Sequence, residues 1–213
     1  MLALLAAFVA ALAGALAGAP DVPLHFFFEN RNESLEVSLL DRSGAVATDA
    51  LAELSHFVRC VRTDRERPIH PRLAEIVART AAAFERRRVE VVSGYRAAPY
   101  GAPHSKHFVG RAMDLKLSGV PARKVAAWVW HNFRGVGVGL YPVQGFVHID
   151  VRDVDVRWLD LARHGESGSV HYSSRGRDDV RPGTAPQLDY DVRPGAIDRP
   201  YASKEKVGIR GSD

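Results

Sequence analysis

The chain has 213 residues, 46% hydrophobic and 25% charged, with 18 Gly and 12 Pro. That composition suits one soluble globular domain with appendages and excludes a fibre, a coiled coil or a wholly disordered chain. A single cysteine, Cys60, rules out an intrachain disulfide and any CxxC thiolate site, and a formal charge of +4 without a recognisable motif gives no case for nucleic acid.

Met1 to Ala19 is uncharged, rich in Ala and Leu, and ends in small residues, the pattern of an export signal cleaved after Ala17 or Ala19. Left uncleaved, about 18 apolar residues would just span a bilayer as an anchor, so the rest of the chain is expected to work outside the cytoplasm. Leu24–Phe28 and Leu35–Leu40 are β-prone runs forming a hairpin, with a turn at Asp41-Arg-Ser-Gly44. Thr48 or Asp49 is placed to cap a helix carrying Leu51, Leu54, Phe57, Val58 and Val61 at helical spacing, with Cys60 as a small buried hydrophobe on its apolar face. A second helix opens at Pro71, presents Leu73, Ile76, Val77, Thr80 and Phe84, and closes on Arg86-Arg-Arg88.

Val89–Val92 reads as a strand leading into Ser93-Gly-Tyr-Arg96, and Ala112–Leu117 as another. Pro121 opens a helix running to about Asn132. Gly135–Tyr141 and Gly145–Val151 read as two strands joined at Pro142. The glycines of the first need not form a phosphate loop, since neither G-x-G-x-x-G nor G-K-[ST] is present; glycines inside a strand more often let another backbone or a substrate approach closely. Trp128, Trp130 and Trp158 are expected in packing roles. From Asp160 to Asp213 the chain is rich in Gly, Ser, Pro, Asp and Arg, and Asp179-Val-Arg-Pro-Gly183 recurs as Asp191-Val-Arg-Pro-Gly195. This segment is read as a flexible tail.

The chemistry concentrates between Ser93 and Asp150. With no cysteine pair available, a metal must be held by His and carboxylate. His107, Asp114 and His148 offer two imidazoles and one carboxylate, a set that suits Zn²⁺ with a fourth position open to water, the arrangement of catalytic rather than structural sites. Spacing alone does not single them out, because the chain has 9 His and 25 acidic residues and a strand histidine is commonly a hydrogen-bonded core residue.

The letters around them do. Ser93-Gly-Tyr-Arg96, Ser105-Lys-His-Phe-Val-Gly-Arg-Ala-Met-Asp114, Gly137-Val-Gly-Leu-Tyr-Pro142 and Phe146-Val-His-Ile-Asp150, followed by Arg157-Trp158, resemble the zinc peptidases grouped with lysostaphin, D-alanyl-D-alanine peptidases and hedgehog domains, with the nearest likeness to the murein endopeptidase K branch. The resemblance covers about residues 22 to 159. It implies one Zn²⁺ per chain on His107, Asp114 and His148, with Arg96 stabilising charge on an attacked carbonyl or gripping a substrate carboxylate. Asp150, two residues past His148 and on the same strand face, could orient that ligand or accept a proton. Ser105 is expected to fix the His107 loop by a backbone hydrogen bond.

Relatives in the wider group carry a general base three residues before the last zinc histidine, where this chain has Gly145. Asp150 and His104 are the remaining candidates, or zinc hydroxide acts with little help. The loop between Arg96 and His107 also looks shorter than in that branch.

The expectation is therefore an α+β fold: a small central antiparallel sheet with the zinc site on one face and helices on the other, hedgehog/DD-peptidase-like. Its domains would be an export signal over residues 1–19, a zinc peptidase domain over 20–159 and a tail over 160–213. Such a protein would be a monomer in the periplasm or cell envelope, touching a membrane only through an uncleaved N-terminus. It would hydrolyse peptide bonds in peptidoglycan stem peptides or cross-links. A D-alanyl-D-alanine carboxypeptidase and a non-catalytic wall-binding module on the same fold are the competing readings.

Overall fold

The computed structural model describes residues 22–85, 87–163 and 170–173. The expected export signal and the repeated Asp-Val-Arg-Pro-Gly segments lie outside the described residues. In chain order the elements are β1 (Leu24–Phe28), β2 (Glu33–Val37), α1 (Thr48–Phe57), α2 (Pro71–Ala83), β3 (Val89–Ser93), one 3₁₀ turn (Lys106–Val109), β4 (Ala112–Leu117), α3 (Ala122–Asn132), β5 (Val136–Tyr141), β6 (Phe146–Val151), β7 (Val156–Asp160) and β8 (Val170–Ser173).

The strands form one sheet in the order β2-β1-β3-β4-β6-β5-β7-β8. It is larger than the expected small antiparallel sheet, and it is mixed: β1 runs parallel to β3 and β5 parallel to β7. Both parallel pairs join segments separated by intervening elements, so no hairpin in the sequence announces them. Helices on one face and a polar site on the other, the α+β arrangement, are present.

Side chains alternate along each strand, so register decides which face each residue joins. Met113, Ile149 and Val138 lie in register across β4, β6 and β5, as do Leu115, Val147 and Leu140. All six are buried with Leu73, Ile76 and Val77 of α2 and Val125 and Val129 of α3 in one apolar core. Phe26 and Phe28, in register with Val89 and Val91 on the same face, carry the core toward the β2 edge of the sheet, where both rings meet Phe57 of α1, 6.2 and 6.0 Å between centroids. Each such side chain contributes roughly 1.5–3 kcal/mol by leaving water.

Several sequence expectations shift. The second strand spans Glu33–Val37 rather than Leu35–Leu40; Leu40 instead forms an isolated bridge with Val46. In α1, Thr48 is the first helical residue and the cap position is Ala47, with no side-chain cap. That helix ends at Phe57, so Cys60 is buried in the following turn and Val61 is exposed. In α2 the cap is His70, whose Nδ1 accepts from the Arg72 backbone N–H ahead of Pro71. No basic residue lies in the last turn of α2: Arg87 and Arg88 fall beyond it, paired with Glu85 and Glu90, and Arg86 lies outside the described residues.

β7 was not expected as a strand, and it reaches one residue past the boundary set at 159. Val170–Ser173, inside the segment read as tail, pairs antiparallel with it.

Candidate metal centre

The site is built on the sheet face opposite the helices. Register places Ser93, Asp114, His148, Gly139 and Trp158 in a single row across β3, β4, β6, β5 and β7. A bulge in β3 between Val91 and Ser93 helps to make that row. Without the extra residue Ser93 would face Met113 on the core side; with it, Ser93 lies beside Asp114. The adjacent row holds Ala112, Asp150 and Gly137.

His107 comes from the 3₁₀ turn that packs over this row. Ser105 caps the turn by accepting from the His107 backbone N–H at 3.3 Å, as expected. Gly94 supports it from below, because its carbonyl oxygen lies 2.6 Å from His107 Nδ1. The chain reaches that position only because residue 94 lacks a side chain: a Cβ there would run into the Val58 side chain and backbone carbonyl.

His107, Asp114 and His148 converge, with one ligand atom of each within 4.8 Å of the others. His148 Nδ1 is 2.7 Å from Asp114 Oδ1 and 3.2 Å from His107 Nε2, and the latter is 3.3 Å from Asp114 Oδ2. All three residues are buried, at 2%, 3% and 8% exposure for His107, Asp114 and His148.

The far nitrogen of each ring is already engaged. Nδ1–H of His107 donates to the Gly94 carbonyl, and Nε2–H of His148 donates to Asp150 Oδ2 at 2.9 Å. In the neutral rings this leaves the lone pairs of His107 Nε2 and His148 Nδ1 directed at each other and at a carboxylate. Acceptors so arranged repel unless a cation, either a proton or a metal ion, lies among them. The donor set, two imidazole nitrogens and a carboxylate oxygen, fits Zn²⁺.

Electrostatics agree with that description. Burial opposes ionisation of Asp114, but His107 and His148 overcome it and hold the carboxyl well below the usual carboxylate range. Burial likewise disfavours the His148 cation, yet Asp114 and Asp150 outweigh it and raise the pKa to about 9. His107 moves the other way: burial dominates, aided by the positive charges of His148 and Arg96, and lowers its pKa.

Arg96 lies at the edge of the same cluster. Its Nη2 donates to Asp114 Oδ2 at 2.5 Å and its Nε to Ser93 Oγ at 2.8 Å, while about a third of the side chain stays exposed. Asp150 has no exposure at all. Both of its oxygens are occupied, by His148 Nε2 and by the Arg152 guanidinium. Burial pushes its carboxyl up, but those two partners hold it below its ordinary value.

The cluster opens into a cleft of ≈ 490 Å³ bordered by Arg96, His104, Lys106, Tyr141, Gln144 and Trp158, among others. His104 is exposed there, whereas Gly145 offers no side chain in the turn before β6. Trp158, expected only in packing, lies 5.0 Å from the His148 ring and donates its indole N–H to the Tyr141 hydroxyl at 3.0 Å. Its indole occupies the space over Gly139, where a Cβ would collide with it. Sequence reasoning missed Arg152 and the Gly94 carbonyl. The glycine of Ser93-Gly-Tyr-Arg96 was a signal for the second, while Arg152 stands outside every motif.

Residues 18–158 match the family described as Peptidoglycan L,D-endopeptidase MepK. The chain belongs to this family. The Peptidoglycan L,D-endopeptidase MepK of Escherichia coli strain K12 is 33% identical over 132 residues, which cover 55% of this chain and 70% of the relative. The Probable peptidoglycan L,D-endopeptidase MepK of Haemophilus influenzae is 30% identical over 116 residues, covering 49% of this chain and 62% of the relative. The MepK match takes in the whole run from Ser93 to Trp158, and with it every residue of the cluster.

Proposed function

We propose that this chain is an exported zinc-dependent peptidoglycan endopeptidase, hydrolysing peptide bonds in stem peptides or their cross-links. The observation that carries the chemistry is the convergence of His107 Nε2, His148 Nδ1 and the Asp114 carboxylate on one point at the floor of an open cleft. Membership of the MepK family supports the substrate and favours endopeptidase over carboxypeptidase action. The closeness to hedgehog and D-alanyl-D-alanine peptidase folds belongs to the same reading, as do one Zn²⁺ per chain, a monomeric state and a place in the periplasm or cell envelope. Among the described residues no helix is long and apolar enough to cross a membrane.

His107, Asp114 and His148 would hold the metal, which when bound makes water acidic and polarises a carbonyl. The protein's own groups do the rest. Gly94 and Asp150 keep the two imidazoles in the tautomers that present lone pairs to the site. Arg96, fixed by Ser93 and Asp114 with part of its guanidinium at the cleft, stabilises negative charge growing on the scissile carbonyl oxygen. Asp150 orients His148; enclosed and doubly engaged, it is badly placed to take a proton from the cleft. Of the two candidate bases, His104 is the one exposed in the cleft, and it takes the proton.

The test uses the purified chain, measured zinc content and purified cell wall, with mass analysis of the products. Expected are one zinc per chain, release of peptide fragments by cleavage within the peptide rather than loss of a terminal alanine, and loss of both zinc and release in His148→Ala. His104→Ala should retain zinc and lower kcat by about 10²-fold or more. Undiminished cleavage by His148→Ala would sink the proposal.

A further inference from the structure

We infer that Arg152 is a positioning residue of this centre: it clamps Asp150 so that the carboxylate grips Nε2 of His148 and turns Nδ1 toward His107 and Asp114. The inference rests on the zinc reading above and adds a residue outside its motifs.

Arg152 follows the last residue of β6, and its backbone N–H donates to the Gly135 carbonyl at 2.9 Å, which anchors the main chain beside β5. Its Nε reaches Asp150 Oδ1 while its Nη2 reaches Oδ2 at 2.7 Å. Two parallel donors on two oxygens fix both the position and the plane of a carboxylate, which a single ammonium contact cannot do. The guanidinium in turn lies 5.5 Å from the centroid of the Trp158 ring, the same indole that packs on His148. Arg152, Asp150, His148 and Trp158 thus form a closed set around one imidazole.

Gly137 is part of the device. In register with Asp150 on the neighbouring strand, it would, with a Cβ, collide with Asp150 Oδ2 and approach Arg152 Nε to 2.5 Å. Missing side-chain volume on β5 is what lets a buried ion pair lie flat against the strand beside the cluster. Asp150 has no exposure, so without Arg152 its charge would be buried with the imidazole as its one remaining side-chain partner among the described residues. The carboxylate would then turn or shift, and the ring with it.

The experiment is competition for zinc between the protein and a chromophoric chelator, which reads metal affinity without reference to hydrolysis. Arg152→Met is expected to weaken zinc binding by about 10- to 100-fold, as removal of a group behind a ligand does. Asp150→Asn should fall by a similar factor, and the double variant should be no weaker than Asp150→Asn alone, because both changes break one linkage. Arg152→Gly should regain affinity when methylguanidinium is added, a rescue that a purely structural role would not show. Arg152→Lys, which keeps the charge but loses the two-point grip, should fall between wild type and Arg152→Met; it also serves should Arg152→Met fail to fold.

Wild-type zinc affinity in Arg152→Met and Arg152→Lys overturns the inference, whether the change then shows as a raised KM or as a lowered Tm alone. A wild-type chain that binds zinc but releases nothing from cell wall would defeat the endopeptidase reading and leave this one standing. A wild-type chain with no zinc affinity would overturn both.

Discussion

The two faces of the sheet are made by the same strands and obey different rules. On the helix side, Met113, Ile149 and Val138 meet apolar helices in a continuous core. One residue along, on the cleft side, the row is Asp114, His148 and Gly139. The first face is stabilised by area removed from water, a term that is non-directional and forgiving of shape. The second is nearly as buried, but its side chains are polar, mutually fixed by hydrogen bonds, and accommodated by glycines that give up volume. A buried polar group without its partner is costly, so this face works as a set. Stability and chemistry are thereby divided between odd and even positions of one β-strand.

The two faces should differ most in their response to pH, which acts on the cleft side. The carboxylates of Asp114 and Asp150 raise the pKa of His148 to about 9 in the metal-free protein, and a metal must displace that proton from Nδ1. Below about pH 9 each zinc bound therefore releases a proton, and affinity rises by about tenfold per pH unit from about pH 6, levelling off near 9. Chelator competition across that range checks this; a flat profile would contradict it.

Next in size is Ile149→Ala, on the core side of β6. Loss of a fully buried side chain next to His148 in sequence is expected to destabilise the fold by about 2–5 kcal/mol. Denaturant unfolding gives the loss, and the folded fraction should still bind zinc with wild-type affinity. Gly139→Ala should show the reverse character. Its methyl group collides with Trp158 and should cost about 1–3 kcal/mol as overpacking, while lowering activity through the displaced indole beside His148. Smallest of all is Glu36→Gln on the outer strand. The His25–Glu36 pair is 59% exposed on both sides, and its removal should change stability by less than about 1 kcal/mol, with no effect on zinc or hydrolysis.

Much of this was legible in the letters. Helical spacing placed α3 and the start of α2 within a residue or two, though α2 stops at Ala83, short of the expected arginine end, and composition with flanking turn residues placed β1, β3, β4, β5 and β6. The residue types between Ser93 and Asp150 pointed to the cluster that the fold brings together. β7 escaped because Val156-Arg-Trp-Leu-Asp160 carries a charged residue on its core-facing side; Arg157 is buried there with its guanidinium 5.1 Å from the centroid of the Trp130 ring. Nothing local announces a cation on an aromatic ring contributed by a helix. The size of the sheet and its parallel pairs were missed for a related reason, since strand neighbours distant in sequence are chosen by the whole sheet.

Residue types and periodicity by themselves determined which donors are available, that His148 and Asp150 share a face, and that the chemistry is His and carboxylate rather than thiolate. Only the tertiary structure decided which nitrogen of each ring faces the site. That depends on the acceptor that takes the other nitrogen: a carbonyl at Gly94, thirteen residues from His107, and a carboxylate at Asp150 held in place by Arg152. An imidazole's two nitrogens are equivalent candidates until hydrogen bonds from folded neighbours distinguish them, and that choice turns two histidines and an aspartate into one centre.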